Sequence, residues 1–191
     1  MSLRVFTAID LSPQVVGAMQ AFQRKFAEQI PPILRWTKAE QLHITLKFVG
    51  ALQEDHLAPI MSHLERALQN QPCFPLDFRE AGIFPNLQSP RILWIGLLPS
   101  HELQAIYRIN ESIFKEYGYA PEKRPFQAHI TIGRFKDKCG FNDLQMFRNV
   151  YFTLQKHFKA IQKVEHLTFY ESTLTPHGAA YKICDTITFQ A

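Results

Sequence analysis

The tripeptide His-Ile-Thr occurs twice in this chain of 191 residues, as HITLKFVG from His43 and as HITIGRFK from His129. The two copies stand 86 residues apart (129 − 43), and the same offset aligns their surroundings. Upstream of each lies a strand-like apolar run, RVFTAIDLSP from Arg4 and RILWIGLLPS from Arg91. Sliding the first run by 86 sets Phe6 on Ile92, Ile9 on Ile95 and Pro13 on Pro99, with the two arginines one residue out of register. Agreement at several landmarks marks an internal repeat, and so long a period suggests a duplicated lobe and not a solenoid. The expected organisation is one bilobal domain over 1–191. Its pseudo-repeats cover about 4–90 and 91–175, followed by a closing C-terminal strand.

Periodicity assigns the elements. Residues 4–10 read as a strand, and Ser12-Pro13 as a cap and first turn of a helix over 13–29, with Val15, Met19, Phe22 and Phe26 on one face. A strand over 42–49 is expected to stop at Gly50, before a helix over about 54–69. Strand-like stretches at 74–84 and 91–98 flank the turn-rich PNLQSP. The second half restarts: a helix capped by Ser100 and reaching Tyr117, the loop APEKRPFQA, the motif strand 129–135, a helix carrying Leu144 to Phe158, and two closing strands around TPHG. The fold class is therefore α+β: a bilobal duplicated fold with two antiparallel-rich sheets, helices outside and a central cleft. Sixteen phenylalanines supply enough bulk for two sheet faces.

In a strand, alternate side chains share a face. His43 and Thr45 then point one way and Ile44 the other, and His129 and Thr131 repeat this against Ile130. A pseudo-two-fold arrangement brings two imidazoles and two hydroxyls into one cleft. Histidine titrates near about 6.5, so near neutral pH one ring can be neutral and the other protonated. The first accepts a proton from water and the second donates one to a leaving oxygen, a pair suited to in-line hydrolysis of a phosphodiester. The threonines can donate to the non-bridging oxygens.

Arg134 suits phosphate, and a bulge at Gly133 would turn it from the opposite face into the cleft. Its repeat partner, Phe48, would flank the same site and stack on a base, or pack in the core. Lys47 shares parity with His43, which makes it a phosphate candidate or a solvated side chain. The remaining histidines, at 56, 63, 101, 157, 166 and 177, have no repeat partner and read as surface or loop residues.

Charge and composition set bounds. A net charge of +4 permits a polyanionic partner without requiring one. No apolar run is long enough for a membrane span, and the first residues lack a signal peptide's apolar core. Cys73, Cys139 and Cys184 show no paired spacing, which fits a reducing, cytoplasmic compartment.

The stretches RVFTAIDLSP, RWTKAEQLHITLKFVG, RILWIGL, PEKRPFQAHITIGR and FYESTLTPHGAAYKI together resemble the 2H phosphoesterase superfamily, and within it the LigT-like RNA 2′,3′-cyclic phosphodiesterases. The resemblance implies opening of a terminal RNA 2′,3′-cyclic phosphate to a 2′-phosphate, with His43 the proton donor to O3′ and His129 the acceptor that activates water. Near symmetry leaves that order undecided by the residues themselves. The resemblance also implies phosphate contact at Arg134, no cofactor or metal, and a monomer without an obligate protein partner. It would act on RNA ends or nucleotide 2′,3′-cyclic phosphates. Some relatives of this kind join RNA halves through a 2′–5′ linkage, which stays open here. So does action on another small nucleotide.

Two departures stand out: QAH where proline often precedes the histidine, and YESTLTPHG with threonine where arginine is common, so that one basic contact is missing. Two further classes remain. A non-catalytic RNA-binding module would need no paired motif. A metal hydrolase would need a third ligand, and Asp10, the one repeat-associated acid, has Gly96 as its partner.

Overall fold

A computed structural model describes residues 2–176 and 178–191, so the expectation for His177 lies outside the described residues. The chain runs β1 (Ser2–Asp10), α1 (Pro13–Ala27), β2 (Leu34–Trp36), a 3-10 turn over Ala39–Gln41, β3 (His43–Gln53), α2 (Glu54–Leu68), β4 (Phe74–Phe84) and β5 (Ile92–Leu97). It continues with α3 (His101–Glu116), β6 (His129–Phe135), α4 (Phe141–Leu154), β7 (Lys159–Val164), β8 (His166–Thr175) and β9 (Gly178–Thr188).

Helix starts follow their caps. The Ser12 hydroxyl accepts from the Val15 N–H at 3.3 Å, and Pro13 opens α1 where no intrahelical donor is needed. Ser100 caps α3 in the same way, accepting from Leu103 at 3.1 Å. Val15, Met19, Phe22 and Phe26 form the buried stripe of α1.

The strands make two antiparallel sheets, of order β3-β1-β8-β9 and β2-β6-β5-β4-β7. Helices α2 and α3 pack on the first sheet, α1 on the second, and α4 reaches the second sheet through Phe147 against Phe135 and the Tyr151 hydroxyl on the Ala81 carbonyl, while β3 approaches β6 where the sheets meet. Phenylalanines fill both layers: Phe114 stacks on Phe169 under α3, and Phe26 on Phe147 between α1 and α4.

The sheets are not the two sequence halves. Each sheet is built around one motif strand and its antiparallel partner, and takes its third strand from the opposite half: β8 joins β1, and β4 joins β5. The helices cross as well, since α1 leaves β1 to cover the second sheet and α3 leaves β5 to cover the first. The sequence repeat and the division into sheets are different partitions of the chain.

Four elements differ from the sequence-based assignment. Gly50 does not end β3; it takes a positive φ of 76° at an irregularity, and the strand continues to Gln53. β2 and β7 are additional strands. Phe158, expected on the last helix, lies beyond α4 and is buried just before β7.

Candidate active site

The two motifs sit in equivalent registers. On β1 and β3, Asp10 faces His43, Ile9 faces Ile44 and Ala8 faces Thr45. On β5 and β6, Gly96 faces His129, Ile95 faces Ile130 and Trp94 faces Thr131. Every pair in the second set is the first shifted by 86. The irregularities repeat as well: Leu46 is skipped in pairing between Thr7/Ala8 and Lys47/Thr45, and Ile132 between Leu93/Trp94 and Gly133/Thr131.

An extra residue in one strand reverses the alternation of faces beyond it. That decides the fate of the next residues. Arg134 emerges on the exposed side, through an irregularity at Ile132 and not at Gly133 itself. Phe48, at the equivalent place, is 52% exposed. Lys47 is turned inward, which corrects both expectations for it: it is neither a phosphate ligand nor solvated. Its ammonium pairs with Glu111 at 2.9 Å and donates to the Ala120 carbonyl at 2.8 Å, with the residue 4% exposed.

His43, Thr45, Phe48, His129, Thr131 and Arg134 all line one cleft of about 860 Å³. Each ring hydrogen-bonds the carbonyl of the residue two positions before it. His129 Nδ1 donates to the Gln127 carbonyl at 2.7 Å, and the Gln41 carbonyl takes the equivalent bond from His43. The His43 Nε2 accepts from the Thr45 hydroxyl at 3.0 Å.

Burial disfavours the charged form of both rings. It lowers His43 to about 4, against opposing contributions from the Gln41 carbonyl and the Asp10 carboxylate. His129 is also lowered, by burial first and by the Arg134 charge second. Both shifts therefore work against the expectation of one charged ring near neutral pH.

The walls contain residues that the motif alone did not reveal. Phe6 stacks on His43 at 4.9 Å between ring centroids and on Tyr170 at 5.1 Å, while Tyr181 meets the edge of His43. Phe84 closes on His129 edge-on at 5.0 Å. Asp10 accepts from Thr168 at 2.5 Å, Tyr170 at 2.6 Å and His166 at 3.2 Å. Burial alone would raise the Asp10 carboxyl, but these bonds hold it below its ordinary value. His166 is raised in turn, chiefly by that hydrogen bond, so it is not a bystander on the surface. His56 is also engaged, with Nδ1 2.9 Å from the Tyr119 hydroxyl. Among the described residues, no three His, Cys, Asp or Glu side chains gather into a metal-ligating group.

Residues 9–94 match a family model described as LigT like Phosphoesterase. A protein of Methanocaldococcus jannaschii named RNA 2′,3′-cyclic phosphodiesterase is 31% identical over 185 residues, spanning 95% of this chain and 98% of its own length. A protein of Thermotoga maritima with the same name is 29% identical over 191 residues, spanning 95% and 92%. Among solved structures, E. coli LigT complexed with 3′-AMP superposes with a TM-score of 0.78 at 24% identity, over 100% of both chains. That likeness is one of fold.

Proposed function

The chain belongs to the LigT-like phosphoesterases, and from that membership we propose that it hydrolyses terminal RNA 2′,3′-cyclic phosphate to a 2′-phosphate through its two histidines. Relatives named RNA 2′,3′-cyclic phosphodiesterase support a hydrolase of phosphodiester bonds. The observation that carries the mechanism is the pair of His-x-Thr motifs, in equivalent registers, lining one cleft.

His129 Nε2 takes a proton from water as the water oxygen attacks phosphorus opposite the P–O3′ bond. That bond breaks, and His43 Nε2–H gives its proton to O3′. The product keeps the phosphate on O2′, and proton exchange with solvent resets the pair. Thr45, Thr131 and Arg134 hold the non-bridging oxygens. Phe48 supports the terminal base; the Arg4 guanidinium lies over its ring at 4.7 Å. No step passes through a metal.

The order of donor and acceptor rests on the family resemblance; burial, the largest influence, opposes a charged His43, and only the neighbouring charges favour it as donor. Asp10 lies across from His43 and supports its cationic form, while Arg134 acts on His129 and supports its neutral form. Burial keeps His43 neutral in the unliganded cleft, but a bound phosphate anion adds the charge that favours its protonation. Proton uptake is then coupled to substrate binding.

The three free cysteines fit a reducing, cytoplasmic setting, and we take the active species to be a monomer acting on RNA ends. Turnover of a 2′,3′-cyclic mononucleotide with and without EDTA tests the chemistry. The expected rates are equal. Loss of activity in EDTA and recovery on added zinc would favour a metal mechanism.

A further inference from the structure

β2 has no counterpart in the four-stranded sheet; it is an addition on the outer side of β6. It is firmly anchored. Leu34 is buried, and the Trp36 ring packs over Gly133, where an added Cβ would lie 3.2 Å from it. The Thr37 N–H donates to the Ile132 carbonyl at 3.0 Å, and the buried Gln23 amide donates to the carbonyls of Thr37 and Ile132 at 2.9 and 2.8 Å.

What this anchored strand presents is Arg35, directly opposite Arg134. Both side chains are exposed and both line the cleft. Like charges directly opposed across a sheet are destabilising. Among the described residues neither arginine has a carboxylate partner. Among the described residues, the cleft lining includes Arg4, Arg35, Lys38 and Arg134 but no Asp or Glu. The fold thus holds two guanidiniums side by side in a groove, at a cost that no internal partner offsets. A bound polyanion supplies the missing charge.

We propose that Arg35, extended by Lys38, forms a second phosphate subsite, which takes the phosphodiester on the 5′ side of the terminal nucleotide. This rests on the reading of the cleft as a cyclic-phosphate hydrolase in which Arg134 holds the reacting phosphate. One strand's width beyond Arg134, about 4.8 Å, Arg35 engages the next phosphate of the same RNA strand. The preferred substrate is then an oligonucleotide end and not a cyclic mononucleotide, which lacks that phosphate.

The test compares wild type with Arg35→Gln on 2′,3′-cyclic AMP and on an oligoadenylate ending in a 2′,3′-cyclic phosphate. The variant is expected to raise KM for the oligonucleotide roughly tenfold, the scale of one charge-assisted hydrogen bond. Its kcat, and both constants for cyclic AMP, stay within about twofold on the same reasoning. A second arm measures binding of a 2′-phosphate-ended oligoadenylate by fluorescence anisotropy across a salt series. Losing one phosphate contact makes the slope of log K against log salt shallower by about 0.7. Equal losses on both substrates would assign Arg35 to the reacting phosphate and overturn the second subsite. So would an unchanged oligonucleotide KM with an unchanged salt slope. Wild type inert on both substrates would sink the hydrolase reading, while the salt slope still decides the subsite.

Discussion

Asp10 faces His43 across β1 and β3, whereas Gly96 faces His129 across β5 and β6. The alternation of a strand made the shared face of each His and Thr legible in the sequence. The Asp10 network was not legible, because its partners His166, Thr168 and Tyr170 come from β8, more than 150 positions along the chain. His43→Ala and His129→Ala are each expected to lower turnover by roughly 10² or more, with thermal melts little changed. Activity within a few-fold of wild type in both variants would remove their assigned roles. Thr45→Val and Thr131→Val should cost less, on the order of 1.5–3 kcal/mol in kcat/KM.

The pH response carries a sign. Productive free enzyme has one proton on the pair, and burial lowers both histidines. The kcat/KM optimum therefore lies on the acid side of the ordinary histidine range and falls as pH rises through the pair's upper titration. Bound phosphate raises that titration, so the kcat optimum lies at higher pH. Asp10→Asn withdraws support for the charged His43 and should move the alkaline limb of kcat/KM further down. Coincident optima for kcat and kcat/KM would contradict the coupling.

At the scale of elements, the irregularities at Leu46 and Ile132 decide which side chains reach the cleft. A glycine in a strand hints at the second, but no residue type announces the first, so simple alternation puts Lys47 on the wrong face. Comparing the burial of equivalent residues in the two strands makes both apparent. β2 is only three residues long, too short for a period to show. Lys47 instead ties β3 to α3 and to the loop before β6. It pairs with Glu111 on α3, and the loop's Glu122 N–H donates to the same carboxylate. Removing one partner of a buried pair leaves the other uncompensated, at about 3–5 kcal/mol. Lys47→Met should show that loss in urea unfolding, and Lys47→Met with Glu111→Leu should recover part of it. A phosphate-binding Lys47 would give the reverse pattern, a raised KM with unchanged stability.

For the whole molecule, the periodicity of the elements together with the 86-residue offset points to the two antiparallel sheets, the outer helices and the cleft. It could not show that each sheet borrows a strand from the other half, because pairing across a long connection leaves no local pattern. On the other side of β1 and β5 from the borrowed strands, β3 and β6 approach each other and the two motifs line one cleft. We propose that this cleft protonates O3′ from the His43 side while water attacks from the His129 side. The identity of the product tests it most directly. An oligonucleotide ending in a 2′,3′-cyclic phosphate is incubated with the protein in EDTA, and the new terminus is read by phosphorus NMR against 2′- and 3′-phosphate standards. The expected product is the 2′-phosphate, with internal 3′–5′ linkages intact. A dominant 3′-phosphate would contradict the assignment of donor and acceptor, and no turnover would contradict the hydrolase itself.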